Sequence, residues 1–214
     1  MIKILHFIPS AFEYFEDIRK EAFALIDALN ELGFENFAFT LQYEAVNKRV
    51  KKEVSGKTRG RMNFEKIYNE KELEAKLDEA DIIHLHAPFL GMGKKLVLYK
   101  QKYPRKKFVI TLYRDLPYVD LFTIIIWLYN GWYLRKLMGV ADFVCAKDES
   151  IFKKAGGFSM LKDDKKFMSI TDLVNFINNN NPALAEEYSG LDINGPQLHN
   201  ALAYGELYRI LHGE

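Results

Sequence analysis

The octapeptide Asp81–Pro88, Asp-Ile-Ile-His-Leu-His-Ala-Pro, constrains this chain more than any other stretch. Ile82 and Ile83 give it strand character, and Pro88, with no N–H for a ladder, ends it abruptly. Nothing after Asp81 is charged, as expected of a central strand covered on both faces. His84 and His86 are two positions apart, so they point to one side of the sheet. They also lie at the carboxyl end, where open parallel sheets hold their ligands. Two readings stand side by side: core histidines hydrogen-bonded to neighbouring backbone, or groups facing a ligand. Of the two, His86 is nearer the strand's mouth and is the candidate ligand contact, while His84 is assigned to the core. A metal needs a third ligand of matching geometry. None is recognisable nearby, and no metal site is expected.

The rest of the chain supplies a sheet around this strand. Ile2–Ile8 is an apolar, β-branched run closed by Pro9. A helix follows over about Glu16–Leu32, with Ile18, Ala22, Leu25, Ile26, Leu29 and Leu32 at the 3.6-residue period and Gly33 as its stop. Asn36–Leu41 is a second strand, completing a right-handed parallel unit. Arg61–Ile67 reads as an edge strand and Glu70–Glu79 as a helix feeding the histidine strand. Met92–Tyr103 is a helix, Lys107–Tyr113 a buried strand, Val119–Met138 an apolar helix and Ala141–Ala146 a sixth strand. The fold class is therefore α/β: a single doubly wound, mostly parallel, six- or seven-stranded Rossmann-like sheet, helices on both faces, order 3-2-1-4-5-6. Phe167–Ile170 is the candidate seventh strand, Thr171–Asn178 a short helix and Gln197–Leu211 a final helix. Residues 1–157 form the Rossmann-like unit, and 158–214 a mostly helical extension packing back on it.

Composition removes several function classes. A formal charge of +1 argues against a polyelectrolyte partner, so nucleic acid is disfavoured. The single cysteine, Cys145, allows no intramolecular disulfide and sits in an apolar strand as buried filler. No phosphate-cradling glycine loop occurs. The start leads directly into a strand without a basic leader, so no signal peptide is expected. The longest apolar run, Leu121–Leu134, is fourteen positions, short of the roughly 20 needed to span a bilayer. The expectation is a cytoplasmic protein, at most peripheral at a membrane. Lys48–Arg61 and Lys94–Lys107 are basic; they serve as solvated surface or, beside Tyr99, Tyr103, Trp127 and Trp132, meet an anionic membrane surface.

Four phrases in order carry a resemblance: Ile-Lys-Ile-Leu-His-Phe-Ile-Pro, Asp-Ile-Ile-His-Leu-His, Val-Ile-Thr-Leu-Tyr-Arg-Asp and Ala-Asp-Phe-Val-Cys-Ala. Over about Met1–Ala155 the chain resembles the amino-terminal, acceptor-binding domain of retaining two-domain (GT-B type) nucleotide-sugar glycosyltransferases. The resemblance implies sugar transfer from a nucleotide-sugar co-substrate to a saccharide or lipid-linked acceptor, with no further cofactor. The departures are specific. The family's Gly-Gly turn after the first strand reads Ala11–Asp17 here, without glycine. Glu13, Glu16 and Asp17 place negative charge at a helix N-terminus, where a diphosphate would be repelled. The family's histidine after the fifth strand is replaced by Tyr113 or Arg114. About 60 residues follow the sixth strand, against roughly 100–150 for a second domain of that kind. No donor-binding glutamate pair is recognisable. The final helix is either the family's returning helix or an ordinary docking helix.

The candidate acceptor-binding set is Glu13, His86, Tyr113, Arg114 and Asp115, from loops after the first, fourth and fifth strands; no catalytic residue is assigned. Arg114 can grip a carboxylate or phosphate, or simply pair with Asp115. Glu13 accepts from a sugar hydroxyl or caps its own helix. Lys147 and Asp148, past the sixth strand, are similarly placed. Phe12, Tyr14 and Tyr113 would flank the sugar. Two classes remain: a glycosyltransferase, acting as a single domain or as the acceptor-binding half of a split enzyme needing a donor-domain partner chain, and a non-catalytic binding or scaffold protein that keeps the fold. The all-round apolar helix 119–138 is expected to meet lipid, the C-terminal tail or a second copy in a homodimer.

Overall fold

In the computed structural model, the described residues are 1–9, 15–40, 65–67, 70–89, 93–113, 132–148, 150–151, 167–181 and 195–213. They form seven strands, β1 (Lys3–Ile8), β2 (Glu35–Thr40), β3 (Glu65–Ile67), β4 (Ile82–Ala87), β5 (Lys107–Leu112), β6 (Phe143–Ala146) and β7 (Phe167–Ser169). Six helices accompany them: α1 (Glu16–Glu31), α2 (Glu70–Glu79), α3 (Gly93–Lys102), α4 (Leu134–Val140), α5 (Ile170–Asn180) and α6 (Gly195–His212). The sheet is parallel throughout, in the order β3-β2-β1-β4-β5-β6-β7. The expected doubly wound order is thus present, with β7 added beyond β6. The strand order reverses between β1 and β4, the place where such sheets open a crevice.

β4 is buried at every position, because helices cover both faces of the sheet. Odd-numbered residues of β1 and β4 (Leu5, Phe7, Ile83, Leu85) join Leu73 and Leu77 of α2, Leu96 of α3 and Leu137 of α4. Even-numbered residues (Ile4, Ile82) join Leu25 and Leu29 of α1, Leu173 and Ile177 of α5, and Leu202, Tyr204 and Tyr208 of α6. The period-2 alternation thus sorts each strand between two cores. α1 ends where Gly33 takes φ +85°, a left-handed turn that costs glycine nothing. That turn delivers Phe34 to α6, where a Cβ on Gly205 would stand 3.0 Å from the Phe34 ring. Gly205 is what allows α6 to lie this close to α1.

The amino edge of the sheet is fastened by charges. Lys106 Nζ donates to the carbonyls of Leu77, Asp78 and Ala80 at the end of α2, satisfying groups that a helix end leaves without partners. Lys100 reaches Asp142 at 2.7 Å and two carbonyls, while Asp142 also accepts from Phe108 N–H. Two lysines of the Lys94–Lys107 segment therefore serve the fold.

Most of the proposed helix 119–138 lies outside the described residues; its described end leads into α4, and Trp132, two residues before α4, is exposed and lies under Lys136 at 4.1 Å. Among the described residues, no helix is long and apolar enough to cross a membrane.

Two glycines make opposite predictions. Gly205→Val should destabilise by about 1–3 kcal/mol, as overpacking does. Gly139→Ala, in α4 with nothing near its added methyl, should stabilise by roughly 0.5–1 kcal/mol. Chemical denaturation of both variants checks the pair.

Candidate functional site

β1 and β4 pair in register with His6 opposite His84, and His86 follows on the same face. The next strands put Asn36 on β2 and Thr111 on β5 beside them. All five side chains are buried, the three imidazoles at 0% exposure. α6 closes the face with Tyr204 and Tyr208, one helical turn apart and likewise buried. A polar layer therefore lies between the sheet and α6, surrounded by the apolar core.

Every buried imidazole nitrogen has a partner, as such groups require. Asn36 donates through Nδ2 to Asn30 Oδ1 (2.8 Å) and the Phe34 carbonyl (3.3 Å). Its Oδ1 therefore faces His6 Nε2 at 3.0 Å as an acceptor, and His6 carries its proton on Nε2. His6 Nδ1 is then an acceptor, 3.0 Å from His86 Nε2, which must donate. His86 Nδ1 accepts in turn from the Tyr113 hydroxyl at 2.8 Å. One amide thus sets the direction of a neutral relay, Tyr113 to His86 to His6 to Asn36. A second relay passes through His84, between Tyr208 Oη (2.6 Å, on Nδ1) and Thr111 Oγ1 (2.8 Å, on Nε2). Thr111 in turn meets Tyr204 Oη at 2.6 Å.

Burial holds the three histidines neutral. It lowers His6 to about 4, against a smaller upward pull from Asn36. It lowers His84 well below the ordinary value, helped by His86 and His6, and lowers His86 likewise, helped by His6. Groups this reluctant to take a proton are poor general bases at neutral pH. They can orient hydroxyls, and they offer neutral nitrogens in a cluster whose ligand atoms all lie within 4.8 Å of one another. Burial also pushes the Cys145 thiol up to about 12, so it is not a nucleophile.

The relay reaches the surface at Tyr113. A small cleft of about 80 Å³ opens there at the carboxyl side of β5, lined by Glu21, Leu25, Tyr113, Asn200 and Tyr204 among others. Tyr113 gives its hydrogen to His86 and keeps an acceptor lone pair on its own oxygen. Glu21 at the rim pairs with Lys147 at 2.5 Å and, second to burial, helps raise the Tyr113 pKa well above the ordinary value. A larger groove of about 390 Å³ runs between α2 and α3, on the other face and away from this polar layer.

Of the sequence-derived acceptor set, the structure brings His86 and Tyr113 together. Glu13, Arg114 and Asp115, with Phe12 and Tyr14, lie outside the described residues. His86, expected as the ligand contact, is completely buried between β4 and α6, where it touches His6 and Tyr113. The division between a core His84 and an open His86 disappears, since both are interior. Lys147 meets Glu21, a lining residue of the cleft, through their ion pair. Three participants escaped sequence reading. His6 stands three residues before Pro9, as His84 and His86 stand four and two before Pro88. That shared ending was the signal that aligns the strands. Tyr204 and Tyr208 carried only their i, i+4 spacing.

No family model and no curated protein matches the chain. Among solved structures, a crystal structure of a glycosyltransferase from Rickettsia africae ESF-5 is similar over 91% of this chain and 50% of its own length, at 19% identity and a TM-score of 0.41. The chain thus spans half the length of that protein.

Two outcomes test the polar layer. A histidine whose folded pKa lies below its unfolded value contributes stability at high pH, which is lost as pH falls from about 6.5 towards the folded value. His6, at about 4 when folded, accounts for a loss of roughly 3 kcal/mol over that window. The melting temperature should be flat above pH 7 and fall steeply between about 6.5 and 4. Tyr208→Phe leaves His84 Nδ1 without its partner and should cost about 1–3 kcal/mol, measured by denaturant titration.

Proposed function

We propose that this chain is the acceptor-holding Rossmann-like unit of a glycosyltransferase, serving transfer of a sugar from a nucleotide-sugar to a saccharide or lipid-linked acceptor. The cleft below α1 and α6 is the observation that carries this reading. Its lining mixes a carboxylate (Glu21), an amide (Asn200) and an oriented phenol (Tyr113) with apolar and aromatic surface. Such a mixture matches hydroxyl groups on one side and a sugar's carbon face on the other. Tyr113 is the acceptor contact, and His86 is the positioning residue that holds its hydroxyl. Glu13, Arg114 and Asp115 complete the proposed set on the strength of the sequence resemblance. The nucleotide-sugar is presented by a donor-binding domain elsewhere, a partner chain included. Association with an anionic membrane surface, or with a second copy through residues 119–138, would bring a lipid-linked acceptor to the cleft.

A second reading, a binding or scaffold protein with the same fold and no transfer activity, is favoured by one feature. Glu16 and Asp17 occupy the first turn of α1, where the positive end of the helix would otherwise receive a diphosphate.

Calorimetric titration with saccharides and with nucleotide-sugars separates the possibilities. Saccharide binding should be measurable and weaken about tenfold in Asn200→Ala, roughly 1.4 kcal/mol, at an unchanged melting temperature. Nucleotide-sugar binding by this chain alone should be weaker than micromolar, about −8 kcal/mol. Micromolar nucleotide-sugar binding with no saccharide binding would overturn the acceptor reading.

A further inference from the structure

We propose that His6, His84 and His86 bind a first-row divalent ion, zinc foremost, with the Tyr208 hydroxyl as the fourth ligand. The inference stands apart from the sugar reading and rests on how the two nitrogens of each ring are used. Each imidazole has one nitrogen committed outward: His6 Nε2 to Asn36 Oδ1, His86 Nδ1 to Tyr113 Oη, His84 Nε2 to Thr111 Oγ1. This is the outer hydrogen-bonding shell that fixes ring orientation in histidine metal sites. The other nitrogens, His6 Nδ1, His86 Nε2 and His84 Nδ1, meet one another or Tyr208 among the described residues.

Zinc–nitrogen bonds of about 2.0–2.1 Å place two tetrahedral ligands roughly 3.3 Å apart. His6 Nδ1 and His86 Nε2 stand at 3.0 Å, and ligand atoms of all three residues lie within 4.8 Å of one another. Shifts of a few tenths of an ångström on the first pair, and a contraction of up to about 1.5 Å towards His84, make room for the ion. Three imidazoles and a phenol suit zinc and its transition-metal neighbours, not magnesium or calcium, which take oxygen ligands.

Loading exchanges two contacts, His6–His86 and His84–Tyr208, for four metal bonds. His86 moves its ring proton from Nε2 to Nδ1. Tyr113 then accepts from His86 and turns its own hydrogen away from that ring. His84, bound through Nδ1, carries its proton on Nε2 and donates to Thr111. Tyr208 releases its phenolic proton to solvent, so one proton leaves per ion and the site retains a charge of +1. The buried ion would thereby reverse the hydrogen bond between His86 and Tyr113, a residue that lines the cleft.

The site is closed to solvent, so the test uses the whole chain produced with zinc, and separately refolded with cobalt(II). About one ion per chain should survive dialysis, with X-ray absorption showing three imidazoles at about 2.0–2.1 Å, and a raised melting temperature. The chain has five histidines, and the double variant His199→Asn/His212→Asn, altering the two outside the cluster, should retain the ion. Tyr208→Phe should lose at least tenfold in affinity and release no proton on loading. The proposal is overturned by less than about a tenth of an ion per chain after refolding with either metal. It is equally overturned by loss of the ion in the double variant, by a first shell with a single imidazole, or by unchanged affinity in Tyr208→Phe.

Discussion

The hydrogen bond from His6 Nε2 to Asn36 Oδ1 decides how the interior of this protein can be assembled. Asn36 has no freedom to reverse its amide, because Nδ2 is held by Asn30 and by the Phe34 carbonyl. His6 must then donate outward and accept inward, which forces His86 to donate and Tyr113 to point at His86. A buried polar group without a partner costs about 1–3 kcal/mol, so a single wrong orientation would propagate through every member. The register of β1 on β2 and β4 is thereby specified twice, by apolar alternation and by this chain of donors.

The same constraint explains α6. A Rossmann-like sheet can be covered by any apolar helix, yet α6 brings two tyrosines whose hydroxyls reach Thr111 and His84. An aliphatic helix would leave those groups unsatisfied. Gly205 lies between the two tyrosines in sequence, and its missing side chain admits the Phe34 ring, so close approach and polar satisfaction are achieved by neighbouring residues of one helix. Of the residues lining the cleft, Glu21 stands on α1, Asn200 and Tyr204 on α6, and Tyr113 directly after β5. Rigid support is what a site needs to hold hydroxyl groups at fixed distances.

Much of this was legible in the sequence. β4 announced itself by its lack of charge and by Pro88, α1 by its period and Gly33, and the strand order by alternation of strands and helices. The pairing of His86 with Tyr113 was also within reach, as both were placed at the carboxyl ends of adjacent strands. What could not be read was depth. Period-2 alternation says which face a residue occupies, and gives no measure of what a remote helix will lay over it. His86 was expected at a mouth because α6, over a hundred residues later, carried no mark tying it to β4. His6 was overlooked for the related reason that it lies 78 residues from His84 in sequence and becomes its neighbour only through register.

The direction and neutrality of the buried relay can be observed at single nitrogens. Long-range proton–nitrogen NMR of the imidazoles between pH 5.5 and 8 reports which nitrogen carries hydrogen and whether a ring is charged. His6, His84 and His86 should remain neutral throughout, with His6 protonated on Nε2. Titration of any of the three near the ordinary histidine value of about 6.5, or a His6 ring protonated on Nδ1, would contradict a sealed polar layer oriented by Asn36.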